Sequence, residues 1–175
     1  MGMNWKIMGF GMTLCVPGIY FLARGFDFDP RALPEELIGR PAPSFELMSF
    51  DGYRISSADI QGSPIVINFW ASWCKPCLFE HPYLLKIAAE YKSKGIVFLG
   101  VLYGDTQAKG EIFLKKHGST YPTLLDPTQR TSIDYGVAGV PETYVIDRAG
   151  NIMHKFTGPI DPVILRGLLD EVLVP

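Results

Sequence analysis

Two cysteines, spaced Cys74-Lys75-Pro76-Cys77, carry the most reactive chemistry in this chain. A C-x-x-C pair points to thiol–disulfide exchange or to metal binding. Structural zinc takes four ligands. Here Cys74, Cys77 and His81 supply at most three, and no second C-x-x-C exists. A purely structural disulfide across so short a loop would constrain the unfolded chain little, because that effect grows with loop length. Redox chemistry is favoured, with no metal and with the Cys74–Cys77 disulfide itself in place of any dissociable cofactor. The pair follows an apolar run and opens a helix-like segment. A helix amino terminus stabilises a thiolate, and Lys75 adds positive charge beside it. Cys74 is therefore the expected nucleophile, since the thiolate is what attacks disulfides. Cys77, one turn further in, is expected to resolve the mixed disulfide and to be the more shielded of the two. Pro76 costs little at an early helical position, where its missing N–H would be unpaired anyway.

The elements that must hold this pair can be read on either side of it. Ile65–Trp70 (IVINFW) and Ile96–Leu102 (IVFLGVL) are near-continuous apolar runs, the pattern of strands buried on both faces. Between them, residues 74–92 read as a helix with Leu78, Leu85, Ala88 or Ala89 and Tyr91 on one face, interrupted and kinked by Pro82. Together they form a βαβ unit. Upstream, Asp51-Gly52 is a hairpin turn signal between Ser44–Ser49 and Tyr53–Ile55. Downstream, Thr106 caps a helix that ends at Gly118. A second hairpin joins Thr143–Ile146 to Asn151–Phe156, and a helix from Asp161 to Leu173 closes the chain. The order predicts a small α/β sandwich with a mixed sheet.

The run Asn68-Phe69-Trp70-Ala71-Ser72-Trp73-Cys74-Lys75-Pro76-Cys77, with Gly139-Val140-Pro141-Glu142-Thr143 downstream, resembles the thioredoxin superfamily. The resemblance covers about Leu37 to the carboxyl terminus. The segments Gly39-Arg40-Pro41-Ala42-Pro43-Ser44-Phe45 and GVPETYVID narrow it to membrane-anchored extracytoplasmic members: the cytochrome c maturation thioredoxins (CcmG/DsbE type) and the related TlpA/ResA group. It implies a thioredoxin-like sandwich with a mixed central sheet. It also implies that Pro141 is cis and faces the cysteines, and that Val140 offers backbone groups to an extended substrate. Trp73 would form the apolar rim where a partner docks. Where thioredoxin carries a buried aspartate this chain has Asn68, which cannot exchange a proton. The family places acidic residues near the disulfide at the positions of Glu80 and Glu142, and a carboxylate partly removed from water could shuttle a proton to or from Cys77. A solvated Glu80 is the plainer alternative. His81 reads as a helix-surface or packing residue, His117 and His154 as exposed positions, and Tyr103-Gly104-Asp105 either shapes substrate choice or is an ordinary loop.

The resemblance further implies a reductant acting on apocytochrome c or a haem-ligation partner and re-reduced by a membrane thiol transporter. Localisation follows from residues 1–24. Ile7–Ala23 is uncharged, bounded by Lys6 and Arg24, and its 17 residues reach the lower end of a membrane-spanning length. It exceeds the usual apolar core of a signal peptide, and Ala23-Arg24-Gly25 is a weak cleavage site, which favours an uncleaved transmembrane helix. Residues 25–36 read as a linker and 37–175 as the thioredoxin-like domain. The expectation is a single-pass inner-membrane protein with its catalytic domain in the periplasm, although Lys and Arg placement alone does not orient it. Cys15 lies within the apolar segment, outside the working pair.

Composition narrows the function classes. With 175 residues the chain suits one ordinary domain, and 47% apolar residues exclude disorder. Sixteen basic against 18 acidic residues argue against a nucleic-acid binder held by bulk charge. A thiol peroxidase is a competing enzyme class, because residues 39–77 also resemble peroxiredoxin openings. Its P-x-x-x-T-x-x-C pattern, however, meets Ile67 and Ala71 at the proline and threonine positions. A general disulfide oxidase or isomerase would use the same cysteine pair. A non-catalytic peptide-binding module is disfavoured by the intact cysteines.

Overall fold

A computed structural model describes residues 37–174. The strands are β1 (Glu46–Ser49), β2 (Arg54–Ser56), β3 (Ile65–Trp70), β4 (Val97–Leu102), β5 (Thr123–Leu125), β6 (Glu142–Ile146) and β7 (Ile152–Thr157). The helices are α1 (Lys75–Lys92), α2 (Gln107–His117), α3 (Arg130–Asp134) and α4 (Pro162–Leu173), with a 3-10 turn at Ser57–Ile60. One sheet runs in the order β2-β1-β5-β4-β3-β6-β7. β3, β4 and β5 pair in parallel and the other neighbours are antiparallel, so the sheet is mixed as the element order predicts.

β3 is buried along its whole length because both faces of the sheet are covered. Successive side chains point to opposite faces. Val66 joins a core with Leu84, Ile87 and Tyr91 of α1 and Leu165 and Leu169 of α4. Ile65, Ile67 and Phe69 join the opposite core with Leu99, Leu124, Tyr135 and Tyr144. Fully burying one such side chain is worth roughly 1.5–3 kcal/mol, so β3 is the strand from which both layers are built. Gly100 of β4 is required by close approach: a Cβ there would lie 2.9 Å from the Trp70 indole nitrogen.

Three expectations change. α1 runs through Pro82 without interruption; Pro82 lies on its exposed side, where water can satisfy the carbonyl freed by the missing N–H. The buried stripe of α1 is Cys77, Glu80, His81, Leu84, Ile87, Ala88 and Tyr91, with Leu78 and Leu85 only half-buried. The helix therefore turns two titratable side chains inward. β5 and α3, which residue order does not announce, fill the segment between Pro122 and Gly136. Residues 1–36, with the expected membrane helix and linker, lie outside the described residues. Among the described residues no helix is long and apolar enough to cross a membrane.

Candidate active site

β3 ends at Trp70, and after three intervening residues the chain enters α1 with Cys74 as its N-cap. This turn delivers the cysteines to the carboxyl end of the parallel strands, where α/β sheets commonly bind ligands. Cys74 and Cys77 form a disulfide with 5.3 Å between Cα atoms, and the Cys77 backbone N–H points at Cys74 Sγ from 3.1 Å. Such a donor at a helix amino terminus favours negative charge on that sulfur once the bond is opened. Each cysteine is only 3% exposed, so the expected difference in shielding is not found in the oxidised protein. The pair is seated among Trp70, Ala71, Leu102 and Phe113, with Val140 packed against the same cluster.

The neighbouring β4–α2 loop clasps the turn that carries Cys74. Tyr103 N–H donates to Trp70 O at 2.9 Å. Asp105 accepts from the Ser72 backbone N–H and hydroxyl and from the Thr106 N–H. Burial works to raise the Asp105 carboxyl, but these hydrogen bonds outweigh it and hold the group below its ordinary value. Trp73 is 59% exposed, and its indole N–H lies 3.4 Å from Gly104 O. The Tyr103-Gly104-Asp105 segment thus braces the active-site turn.

On the other side of the disulfide, the Val140–Pro141 peptide bond is cis, as the resemblance implies. Glu142 begins β6 directly after it and is fully buried. Its Oε1 accepts from Ala138 N–H at 3.1 Å, and its Oε2 accepts from Tyr144 Oη at 3.1 Å. Lys155 Nζ lies 2.9 Å from the same Oε2, with a side chain 2% exposed, and also donates to Gly136 O at 2.9 Å. Strand register brings these groups together, since β6 and β7 place Tyr144 opposite Lys155. Every one of these partners lies in the Gly136–Pro141 loop or in the hairpin that carries it. An ammonium group and two other donors thus occupy the Glu142 carboxylate and tie the loop ahead of Pro141 to the β6–β7 hairpin.

Glu80 lies one turn beyond Cys77 and is 3% exposed, not solvated. Oε1 accepts from Asn68 Nδ2 at 2.9 Å and Oε2 from Ile160 N–H at 3.0 Å. Among the described residues no ion pair reaches it. Burial pushes its carboxyl up to about 7, against the opposing pull of the two hydrogen bonds. A buried acid that titrates near neutrality, without a cationic partner, is suited to proton exchange. His81 instead packs against both Trp70 and Phe113 with Nε2 2.9 Å from Gly118 O, and burial lowers its affinity for a proton. Among the described residues no three His, Cys, Asp or Glu side chains gather as metal ligands.

A reactive disulfide on a helix amino terminus, opposite a cis-proline loop on a mixed sheet, defines a thioredoxin-like thiol–disulfide oxidoreductase. Residues 38–155 match the model of the AhpC/TSA family, and the chain belongs to that family. It is 38% identical over 149 residues to the thiol:disulfide interchange protein DsbE of Pseudomonas aeruginosa, covering 83% of this chain and 81% of that one. Identity to the thiol:disulfide interchange protein HelX of Rhodobacter capsulatus is 39% over 148 residues, covering 83% and 82% of the two chains. The thiol-disulfide oxidoreductase ResA of Bacillus anthracis is 29% identical over 153 residues, 87% of each chain. Among solved structures, a putative thiol:disulfide interchange protein DsbE from Chlorobium tepidum superposes with a TM-score of 0.72 at 31% identity, covering 76% of this chain and 95% of that one.

Lys155, Tyr144 and the Ile160 N–H are partners of the two glutamates that residue order does not disclose. Glu142, Tyr144 and Lys155 share a face only once the β6–β7 register is known, and a backbone donor leaves no trace in residue type.

Proposed function

We propose that this protein is an extracytoplasmic reductant of the cytochrome c maturation pathway, anchored in the inner membrane by residues 1–24 with its catalytic domain in the periplasm. It would reduce a disulfide in apocytochrome c or in a haem-ligation protein and would be recharged by a membrane thiol transporter, without a dissociable cofactor. The observation that carries the reading is the placement of the Cys74–Cys77 pair between a helix amino terminus, the Val140–Pro141 loop and the unpaired buried acid Glu80. The kinship to DsbE and HelX supports the direction of the reading.

In the reduced protein the Cys74 thiolate attacks a substrate disulfide. One substrate sulfur becomes bonded to Cys74 and the other leaves as a thiolate. Trp73 and the Val140 backbone position the substrate. The Glu80 carboxylate then takes the proton of the Cys77 thiol, and the Cys77 thiolate attacks Cys74 Sγ. The Cys74–Cys77 disulfide forms and the second substrate thiolate is released, so two electrons pass from the dithiol to the substrate. When a dithiol donor attacks Cys74 to recharge the protein, protonated Glu80 returns its proton to the departing Cys77 sulfur.

The test is a trap. Cys77→Ser in the host leaves the mixed disulfide at Cys74 unresolved. A c-type apocytochrome or its ligation partner linked to Cys74 is the expected result. A broad set of secreted folding proteins, signifying a general oxidase or isomerase, would overturn the proposal.

A further inference from the structure

We infer that Asn68 is a positioning residue for proton transfer at this site: its amide is the fixed donor that orients the Glu80 carboxylate and sets its affinity for a proton. The inference rests on the role proposed above for Glu80, but its test reads Glu80 directly.

Asn68 lies mid-strand in β3 and is 4% exposed. Residues two apart along a strand share a face, so Asn68 projects with Val66 toward α1. Its Nδ2 carries two protons. One points at Glu80 Oε1, 2.9 Å away, and the other at Thr143 Oγ1, 3.0 Å away. The amide therefore joins the helix bearing Cys77 to β6, the strand that Glu142 begins directly after Pro141. While Glu80 is ionised, reversing the amide would set Asn68 Oδ1 against a carboxylate oxygen, acceptor against acceptor, so the carboxylate holds the donor toward itself. Ile160 N–H fixes the second carboxylate oxygen. On α1 itself Cys77 is held in the disulfide and His81 is turned to Gly118 O, and ahead of β5 stands Tyr121, whose ionisation is opposed by burial and then by Glu80. Among the described residues none supplies a positive charge in an ion pair with Glu80, which leaves the Asn68 amide and the Ile160 N–H as its stabilising partners there.

This geometry explains why an amide suits the position. A carboxyl group at residue 68, at the same 2.9 Å contact, would make two acids compete for one proton, raising one affinity and lowering the other. An apolar side chain of similar size would remove a donor from a buried carboxylate and leave the protonated form favoured more strongly.

The Glu80 side-chain carboxyl can be followed by 13C NMR against pH in the oxidised full-length protein, its resonance assigned by its loss in Glu80→Gln. Asn68→Leu is expected to raise the Glu80 midpoint by about one pH unit, a tenfold gain in proton affinity. Asn68→Asp is expected to replace the single transition by two coupled ones, on either side of the wild-type midpoint. A Glu80 midpoint unmoved in a folded Asn68→Leu protein, or a single unshifted transition in Asn68→Asp, would overturn the inference. If the midpoints move as expected but Glu80→Gln leaves exchange kinetics unchanged at every pH, Asn68 tunes Glu80 as inferred and the role of Glu80 in exchange is what fails.

Discussion

Glu80 and Glu142 are both buried glutamates close in sequence to the catalytic features, yet their surroundings differ in one decisive respect. Lys155 holds Glu142 as an ion pair within a net of backbone and tyrosine hydrogen bonds. Glu80 has two neutral donors and, among the described residues, no cation. Burial with a partnered charge makes a fixture. Burial without one makes a group that takes up or releases a proton near neutrality. The first fastens the loop that holds Val140 and Pro141, and the second is the group that the proposed function assigns to Cys77. Residue type and burial are alike, so the partner decides the role.

The largest effect should come from breaking the fixture. Lys155→Ala strands the Glu142 carboxylate in the interior, and removing one partner of a buried pair costs about 3–5 kcal/mol. Chemical denaturation should show that loss, and the double variant Lys155→Met/Glu142→Gln should recover most of it, because no buried charge then lacks its partner. A Lys155→Ala protein as stable as wild type would remove the distinction between the two glutamates.

A smaller effect, specific to Glu80, appears in the pH dependence of stability. Its proton is held up to about pH 7 in the folded protein, against an ordinary value of 4.5. Between these values the folded state binds more protons than the unfolded state, so stability falls as pH rises through this window. The fall attributable to Glu80 is at most about 3 kcal/mol, following from roughly 1.4 kcal/mol per pH unit. His81, whose folded affinity is depressed, works in the opposite sense: the folded state gains stability as pH rises up to the ordinary imidazole value. The difference between wild type and Glu80→Gln therefore isolates the glutamate. Denaturant melts at pH 4.5 and pH 7.5 should show the variant losing less stability with rising pH than wild type. Parallel curves would contradict the assignment.

Much of this architecture is legible in residue order. β3 and β4 announce themselves by apolar runs too continuous for a one-faced sheet, and the C-x-x-C at a strand-to-helix junction names its own chemistry. The contrast between Glu80 and Glu142 is not legible in this way. Both read as acids near the site, and only tertiary register reveals that Lys155 reaches one while a backbone N–H at Ile160 reaches the other. β5 escapes for a related reason. It has three residues, and its strand character comes from pairing between β1 and β4 more than from its own sequence. The stripe of α1 misleads because Glu80 and His81 break the apolar pattern at the very positions that face inward, where function displaces the packing rule.

The most direct test of Glu80 as the proton carrier is the opening of the Cys74–Cys77 disulfide by dithiothreitol. Rates should be divided by the fraction of reductant present as thiolate and followed from pH 5 to 9 in wild type, Glu80→Gln and Glu142→Gln. The wild-type rate per thiolate should fall through about pH 7, where Glu80 loses the proton it would pass to Cys77. Glu142→Gln should keep that inflection and Glu80→Gln should lose it. The same inflection in Glu80→Gln would contradict the account.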